Sequence, residues 1–415
     1  MSEPGEPDQV SDAASYAVDG VVPANVVRPT SVEALSAALG DADAAGQAVV
    51  VQGGRTAVGI GNVPSRYGLA LDLSALDQVV SLEPDDFTIT VEAGMRVSAL
   101  QLTLAAHGQF VPLDVAWAEQ STVGGLVARG RGGMRRGRFG SVRDWLIGTS
   151  MVLADGTSIK GGGRVVKNVS GFDLPKLFAG SFGTLGAIVQ ATFKVQPMPA
   201  VDVTIVHPCP NVQGAAELGL SLSRTRALDA AVALDPTSAS ATGLGDGSSA
   251  MLALRVAGVL EAVESELTAL QDEISGSTPK ASDPQAWQAI SNLEASPGDN
   301  ARGLLRLGGP VSIQHEVYQA ALGAAGDDAR VWGYADSGLV FVSLAADAIA
   351  SVSTSLRERF RPQGLSVIVD AAPPELKAKL DIWGGSDEGL EIMREIKRRF
   401  DPKATLSPGR FVGEI

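Results

Sequence analysis

Apolar and polar positions along this chain repeat with two different periods, and the points where the period changes divide it into parts. In "TSVEALSAALGDADAAG", residues 30–46, Val32, Leu35 and Leu39 share one face at helical spacing, and Thr30 with Glu33 has the form of a capping box. "AVVVQ", residues 48–52, is a short unbroken apolar run, read as a buried strand that enters the loop "GGRTAVGIGN". "GLALDLSALDQVVSLEPDDFTITVEAGM", residues 68–95, predicts two or three short strands joined by turns. "VSALQLTLAAHG", residues 97–108, predicts a helix with Ser98 as cap, a stripe through Leu100 and Leu104, and Gly108 as its stop. Residues 108–145 are rich in glycine and arginine and lack a period, which predicts a loop with a helical turn or more beginning near Thr122. "WLIGTSMVLADGTSIKGG" then reads as a hairpin turning at Asp155-Gly156, and "AIVQATFKVQP" alternates with Val189, Ala191, Phe193 and Val195 on one face.

Prolines 197, 199, 208 and 210 cluster after that strand, and the stretch from Pro197 to Pro199 marks a domain boundary. Beyond it, "VDVTIV", "AAVAL", "MLALRV", "LVFVSL" and "LSVIV" alternate with helical segments, with turns at 246–250 and 326–330. This is the pattern of a separate α+β module. A last helix stops at Asp401-Pro402 and a short extended piece follows. The expected organisation is a flexible tail at 1–20, a first domain at 21–199, a smaller cap at 200–385 and a closing segment at 386–415.

Composition narrows the function. A net charge of −14 argues against non-specific nucleic-acid binding and against attraction to an anionic membrane surface. With the single cysteine Cys209, the chain has no internal disulfide, cannot ligate an iron–sulfur cluster by itself and has no Cys-rich zinc site. The three histidines, His107, His207 and His315, lack metal-ligand spacing, so no metal is expected. The acidic N-terminus has neither the basic region nor the apolar core of a signal peptide, and no apolar run reaches the roughly 18–20 residues of a spanning helix. A cytoplasmic protein is expected, with any membrane contact made through partner subunits.

Three loops carry the chemistry. Gly53, Gly54, Arg55, Thr56, Ala57, Val58 and Gly59 follow a strand, and glycines there let successive N–H groups converge on an anion. Gly54 and Gly59 have the spacing of a G-x-x-x-x-G-K-S/T loop, but Ile60 stands where its lysine belongs, and no register gives G-x-G-x-x-G. A tight turn between strands accounts for the same residues. "STVGG", residues 121–125, sets two hydroxyls before glycines that open a helix, a second anion-friendly arrangement that is weak alone. Two such loops separated by strands suit a diphosphate held by backbone dipoles. Arg129, Arg131, Arg135, Arg136, Arg138 and Arg143 stand out on an acidic background, either as a positive mouth for a carboxylate or an acidic partner surface, or as a solvated loop in which Arg143 pairs with Asp144.

The third loop, "VVKNVSGFDLPKLFAGSFGTLGAIVQAT" at 165–192, resembles the signature of the FAD-binding domain of the vanillyl-alcohol oxidase and p-cresol methylhydroxylase superfamily. "QGGRTAVG", "VPLDVAWAEQSTVGG", "GRFGSVRDWLIG" and the closing "FDPKATLSPGR" fit the same pattern, with Ser407 in place of the family's asparagine. The resemblance covers residues 25–197 and 386–415. Within the superfamily, "GSVRDWLIGT", "VVKNVSGFDL" and "PGRFVGEI" resemble most the E-subunit branch of bacterial glycolate oxidases. The resemblance implies an α+β fold: a two-part FAD-binding domain of the p-cresol methylhydroxylase type, a smaller α+β cap, and a C-terminal tail returning to the FAD domain. It implies that FAD is held by Gly53–Gly59, Asp114, Ser121, Thr122, Gly124, Gly125, Gly140, Asp144, Gly183 and Ile188. A Gly54→Glu change is expected to abolish FAD retention by setting a carboxylate against the diphosphate.

Departures from the family matter as much. Arg55 occupies a loop where covalent members carry histidine, and Cys209 lies beyond the domain, so FAD is expected to be non-covalent. Relatives that oxidise 2-hydroxy acids carry a late histidine-rich metal and catalytic cluster, and this chain has no histidine after His315. The catalytic residues are therefore unassigned. Arg135, Arg136, Arg143, Lys167 and Asn168 are candidates for contact with substrate or a partner. Three readings follow: an accessory FAD subunit of a glycolate oxidase complex, with a sister FAD-binding catalytic subunit and an iron–sulfur subunit as partners; a self-sufficient FAD-dependent dehydrogenase of another alcohol or hydroxy acid; or a scaffold that keeps the fold without catalysis.

Overall fold

A computed structural model describes residues 8–9, 12–163, 172–275, 277–281, 283–295, 301–326, 328–385 and 388–415. Two small sheets, with a two-stranded pairing of Gln109–Phe110 and Gln196–Pro197, build the N-terminal half. One orders Asp8–Gln9, Asn25–Arg28, Leu69–Asp72 and Val49–Gln52, the last three running parallel. The other is antiparallel and orders Val79–Glu83, Thr88–Glu92, Ala187–Lys194, Leu146–Val152 and Ser158–Gly162. The helix Val32–Ala44 joins them: Leu35 and Leu39 are buried in one core with Val49 and Leu71 of the first sheet and Val152, Ala187 and Val189 of the second. The opposite face of the antiparallel sheet buries Leu100 and Leu104 of the helix Val97–Ala105 and Val123, Leu126 and Val127 of the helix Val123–Arg129.

Val201 begins an eight-stranded sheet in which every pairing is antiparallel. Its order is Thr278–Ala281, Val201–Cys209, Ala250–Gly258, Ala230–Leu234, Arg330–Tyr334, Leu339–Ala345, Arg302–Gly308 and Ser366–Ala371. The helices Val212–Thr225, Leu260–Glu273, Gln314–Ala325 and Ile349–Phe360 bury their apolar stripes on one face. The helix Pro284–Leu293 lies on the other face, beside Met134 of the N-terminal half, so this face is turned toward the first domain.

The seam between the halves is where the arginine run goes. Arg129 and Arg131 reach Glu294 at 3.4 and 3.5 Å, Arg131 also reaches Asp370, and Arg138 reaches Asp229 at 2.5 Å. Gln288 Nε2 donates to the Val115 carbonyl, and the Trp117 N–H donates to Asn292. Apart from exposed Arg138 and Arg143, the run is thus neither a solvated loop nor an outer partner surface.

The chain's end closes the first domain. The helix Leu390–Phe400 stops where Asp401-Pro402 predicts. From it the buried Lys397 ammonium donates to Asp401 and to the carbonyls of Thr184 and Leu406. The following segment runs beside the edge strand Val49–Gln52: the Val49 N–H donates to Thr405 O and the Ser407 N–H to Val49 O.

Several expectations need correction. The first helix is capped by Ser31, whose hydroxyl accepts from the Ala34 N–H, and not by Thr30. Ser98 lies inside its helix, after Arg96 at the cap position. A bulge between Ile188 and Gln190 turns Val189 to the core opposite that of Ala191 and Phe193. Residues 12–20 are not a loose tail: Tyr16 and Val18 are buried, the Tyr16 hydroxyl donates to Asp72 at 2.6 Å, and Asp19 pairs with buried Lys377. The prolines after the boundary do not end the strand there: Val201–Cys209, with His207, Pro208 and Cys209, belongs to the eight-stranded sheet.

Candidate functional site

Between the two halves runs a cleft with about 1170 Å³ of empty space, counted out to its open mouth. Gly53, Gly54, Arg55, Thr56, Ala57, Val58, Asp114, Ser121, Thr122, Gly124, Gly125, Gly183 and Ile188 line it, so the structure brings thirteen of the expected residues together from loops far apart in sequence. Gly59, Gly140 and Asp144 do not line it. The Gly59 carbonyl accepts from Lys377, and Asp144 caps its own turn by accepting from the Ser141 N–H and hydroxyl. Arg135, Arg136 and Arg143 are also off the cleft wall; Arg135 pairs with Asp114 at 3.2 Å. Lys167 and Asn168 lie outside the described residues.

The loop after Val49–Gln52 shows why its residues are glycines. A Cβ on Gly53 would meet the Thr122 hydroxyl at 2.3 Å, and one on Gly54 would meet the Gln120 carbonyl oxygen at 1.8 Å. Backbone has been packed against backbone, with no room for a side chain. Arg55 follows in a left-handed conformation, φ +58°, with its guanidinium 4.3 Å over the Tyr16 ring. Among the described residues, the N–H groups of Gly54, Arg55, Thr56 and Ala57 donate to no protein acceptor. They are free donors on a cleft wall, the arrangement that holds an anion.

The second loop works differently from expectation. Thr122 caps the helix Val123–Arg129 by accepting from the Gly125 N–H. The Val123 and Gly124 N–H groups donate to the carbonyls of Met95 and Ala93. The helix's first donors are therefore already used, and so are the nearby hydroxyls: Ser121 donates to the Ala116 carbonyl, and Thr56, 2.8 Å from it, donates to Ser121. The free N–H groups lie in the first loop.

Reading by motif missed Gln52, Phe182, Glu294 and Arg410, all of which line the cleft. Arg410 was legible as the arginine of the closing "PGR"; its buried guanidinium donates to the Val58 and Ile60 carbonyls and so fixes the far side of the glycine loop from the chain's end. Trp383 packs edge-on against Phe182 at 5.0 Å and donates to the Arg410 carbonyl, so it supports the wall without lining it. Glu294 carries no sequence signal, since it comes from the end of a cap helix.

At the cap end the cleft becomes ionic. Arg131 Nη2 reaches both Asp370 oxygens, at 2.6 and 2.5 Å, and Arg306 Nε reaches one at 3.3 Å. The Tyr334 hydroxyl donates to Glu294. Burial alone would raise the Asp370 pKa, but Arg131 and Arg306 hold it below the ordinary carboxylate value. Burial and the neighbouring Arg131 lower Arg129 and Arg306 to about 10 each. Burial and Glu294 push Tyr334 well above its ordinary value, so the phenol stays protonated and donates.

The residues fit a dinucleotide whose diphosphate meets free N–H donors over a surface closed to side chains. Residues 23–162 match the family of the FAD binding domain. The chain is 24% identical to glycolate oxidase subunit GlcD of Bacillus subtilis, over 94% of this chain and 89% of that one. It is 34% identical to glycolate oxidase subunit GlcE of Escherichia coli over 38% of this chain and 45% of that one, and 32% identical to the D-lactate dehydrogenase of Archaeoglobus fulgidus over 48% and 44%. Against these two relatives the match spans less than half of their length. Among solved structures, p-cresol methylhydroxylase with substrate bound superposes with a TM-score of 0.73 at 16% identity, over 94% of this chain and 88% of that one. The chain therefore has the α+β fold of p-cresol methylhydroxylase and carries an FAD binding domain. It is an FAD-dependent oxidoreductase similar to glycolate oxidase subunits GlcD and GlcE and to D-2-hydroxyglutarate dehydrogenase.

Proposed function

We propose that the chain is an FAD-holding subunit of a 2-hydroxy-acid oxidase of the glycolate oxidase kind. It would work with a sister flavoprotein subunit and pass electrons to an iron–sulfur subunit in the cytoplasm. The carrying observation is the Gly53–Val58 loop, with unused N–H donors on the cleft and its back pressed on residues 120–122. Non-covalent attachment is supported by the cleft lining, which includes neither histidine nor cysteine. An accessory role is supported by the lack of any metal-holding group of His, Cys, Asp and Glu among the described residues, together with the kinship to GlcE. No helix among the described residues is long and apolar enough to cross a membrane, so any membrane contact in this reading is made by partners. The domain limits 21–199, 200–385 and 386–415 are part of the same proposal.

Bound FAD would supply a two-electron acceptor. The chain's own part is to hold the diphosphate with the Gly54–Ala57 N–H groups, to shape the cleft with Phe182 and Ile188, and to close it with Arg410. The test is anaerobic addition of glycolate to the purified yellow chain. The accessory role predicts that its visible flavin band persists and bleaches only when the sister subunit is added. Bleaching of the isolated chain would instead mean that it oxidises the hydroxy acid itself. That second reading is favoured by the ionic group at the cap end of the cleft.

A further inference from the structure

The glycine loop is held at both ends, and one of its anchors comes from the other domain. At its start it leaves the strand Val49–Gln52. At its end, four consecutive carbonyls are taken by protein donors. That of Ala57 accepts from the Ile60 N–H, those of Val58 and Ile60 from Arg410, and that of Gly59 from Lys377 Nζ at 2.8 Å. Lys377 ends the short helix Pro374–Lys377, which follows the edge strand Ser366–Ala371 of the eight-stranded sheet. Its side chain is 0% exposed and does not line the cleft. The ammonium also donates to Asp19, in the segment that carries Tyr16. That segment holds the loop too: the Tyr16 carbonyl accepts from Gln52 Nε2 at 3.0 Å, and the Tyr16 ring lies under the Arg55 guanidinium. One ammonium thus joins the N-terminal segment, the glycine loop and the second domain.

A buried ion pair adds little stability over apolar side chains of the same size, because desolvation offsets the attraction. Here burial lowers the Lys377 pKa and raises that of Asp19, and each partner opposes the shift that burial imposes on the other. Stability alone therefore gives little reason to carry this charge across the seam. What an apolar side chain could not do is hold the Gly59 carbonyl. We propose that Lys377 is a positioning residue for FAD: from the second domain it fixes Gly59, keeps the Gly54–Ala57 N–H groups where the diphosphate meets them, and so links FAD binding to the docking of that domain. A loop kept in its bound shape before the ligand arrives spares the cost of ordering it at binding. The link runs both ways: whatever affinity Lys377 lends to FAD, bound FAD returns as a firmer hold on the Lys377 helix. The inference rests on the reading of the Gly53–Val58 loop as the place of the FAD diphosphate.

The test is hydrogen exchange of the full wild-type chain, read by mass spectrometry with and without saturating FAD, beside FAD titration of the flavin-free protein. The amides of Leu376–Leu380 are hydrogen-bonded within the turn around Lys377. FAD should slow their exchange at least threefold and leave the remote helix Leu260–Glu273 unchanged. Lys377→Met alone would strand a buried carboxylate, so the variant is the double Asp19→Asn with Lys377→Met, which removes both charges. It should bind FAD tenfold or more weakly, about 1.4 kcal/mol, and lose the FAD-dependent protection of 376–380. A merely structural ion pair would shift the melting temperature and leave FAD affinity and that protection as in the wild type, which would overturn the inference. Equal slowing of both segments in the wild type would overturn it too, because FAD would then be stabilising the whole chain alike. The two readings fail distinguishably: wild type that binds no FAD sinks the FAD assignment and this inference with it. Wild type that binds FAD while 376–380 exchange is indifferent to it sinks this inference alone.

Discussion

Replacing Gly54 by alanine probes the glycine loop with the smallest side chain available. The added methyl would sit 1.8 Å from the Gln120 carbonyl oxygen, 2.8 Å from its carbon and 2.9 Å from Arg96 Nη1. A carbon next to a carbonyl oxygen settles near 3.3 Å, so the loop must back away by about 1.5 Å. Hydrogen bonds span only a few tenths of an ångström around their optimum, so a shift of that size breaks those made by the Gly54–Ala57 N–H groups. Losing two bonds to a charged diphosphate, each worth about 1.5–3 kcal/mol, removes about 3 kcal/mol or more of binding. That is about a hundredfold or more in FAD affinity. The reason differs from the one that the sequence suggests for Gly54→Glu: the first obstacle is protein backbone, met by any side chain. Gly59→Ala is the internal control, because a Cβ there meets nothing within 4 Å. Titrating flavin-free protein with FAD by quenching of flavin fluorescence reads both. FAD affinity of Gly54→Ala within threefold of wild type, or an equal loss in Gly59→Ala, would refute the reasoning.

Asp370→Asn should destabilise the chain by about 3–5 kcal/mol in chemical denaturation, because Arg131 and Arg306 lose their shared buried carboxylate. The same pair sets an acid limit. The folded pKa of Asp370 is depressed, so its contribution is complete above the unfolded value of about 4 and is lost as pH falls through the folded one; Asp370→Asn should flatten that limb of the stability profile. Asp336 has the opposite sign. Burial raises its pKa to about 6, so ionising it costs stability at neutral pH, and the cost fades as pH falls from about 6 to below about 4. Asp336→Asn should accordingly stabilise at pH 7, by up to about 3 kcal/mol, and change little at pH 4. Lys397→Ala should release the C-terminal segment from Thr184 and Leu406, and lower FAD affinity along with stability because Ser407 and Arg410 line the cleft; unchanged affinity in equilibrium titration would contradict that coupling. Ser407 has φ +46°, a conformation that asparagine tolerates better than serine, so Ser407→Asn should raise the melting temperature slightly in a thermal scan.

Local pattern was enough for the elements that local physics decides. The helix on Leu35 and Leu39, the three strands within 68–95, the hairpin at Asp155-Gly156 and the last helix ending before Pro402 follow from side-chain period, turn chemistry and proline geometry. The cofactor loops were legible because the close approach of two backbones leaves its mark as glycine at fixed positions. In the cap, the alternation named five strands but not Thr278–Ala281, Arg302–Gly308 or Arg330–Tyr334. Arg306 interrupts the apolar run of Arg302–Gly308, and Arg330–Tyr334 holds only five residues with a glycine among them; these are the strands that carry Arg306 and Tyr334 to the seam.

What only the tertiary structure decided is which charges meet. A run of arginines in a glycine-rich loop has the composition of a solvated or partner-binding surface, and nothing local separates that from burial. Their partners Asp229, Glu294 and Asp370 come from three distant elements of the second domain, brought together when that sheet turns its inner face to the first. Likewise, whether the Val123–Arg129 helix offers free donors depends on the Met95 and Ala93 carbonyls that reach its first turn, and these are fixed by sheet packing. Sequence fixes which groups are present; long-range packing fixes which remain unmatched, and an unmatched buried group is what a ligand answers.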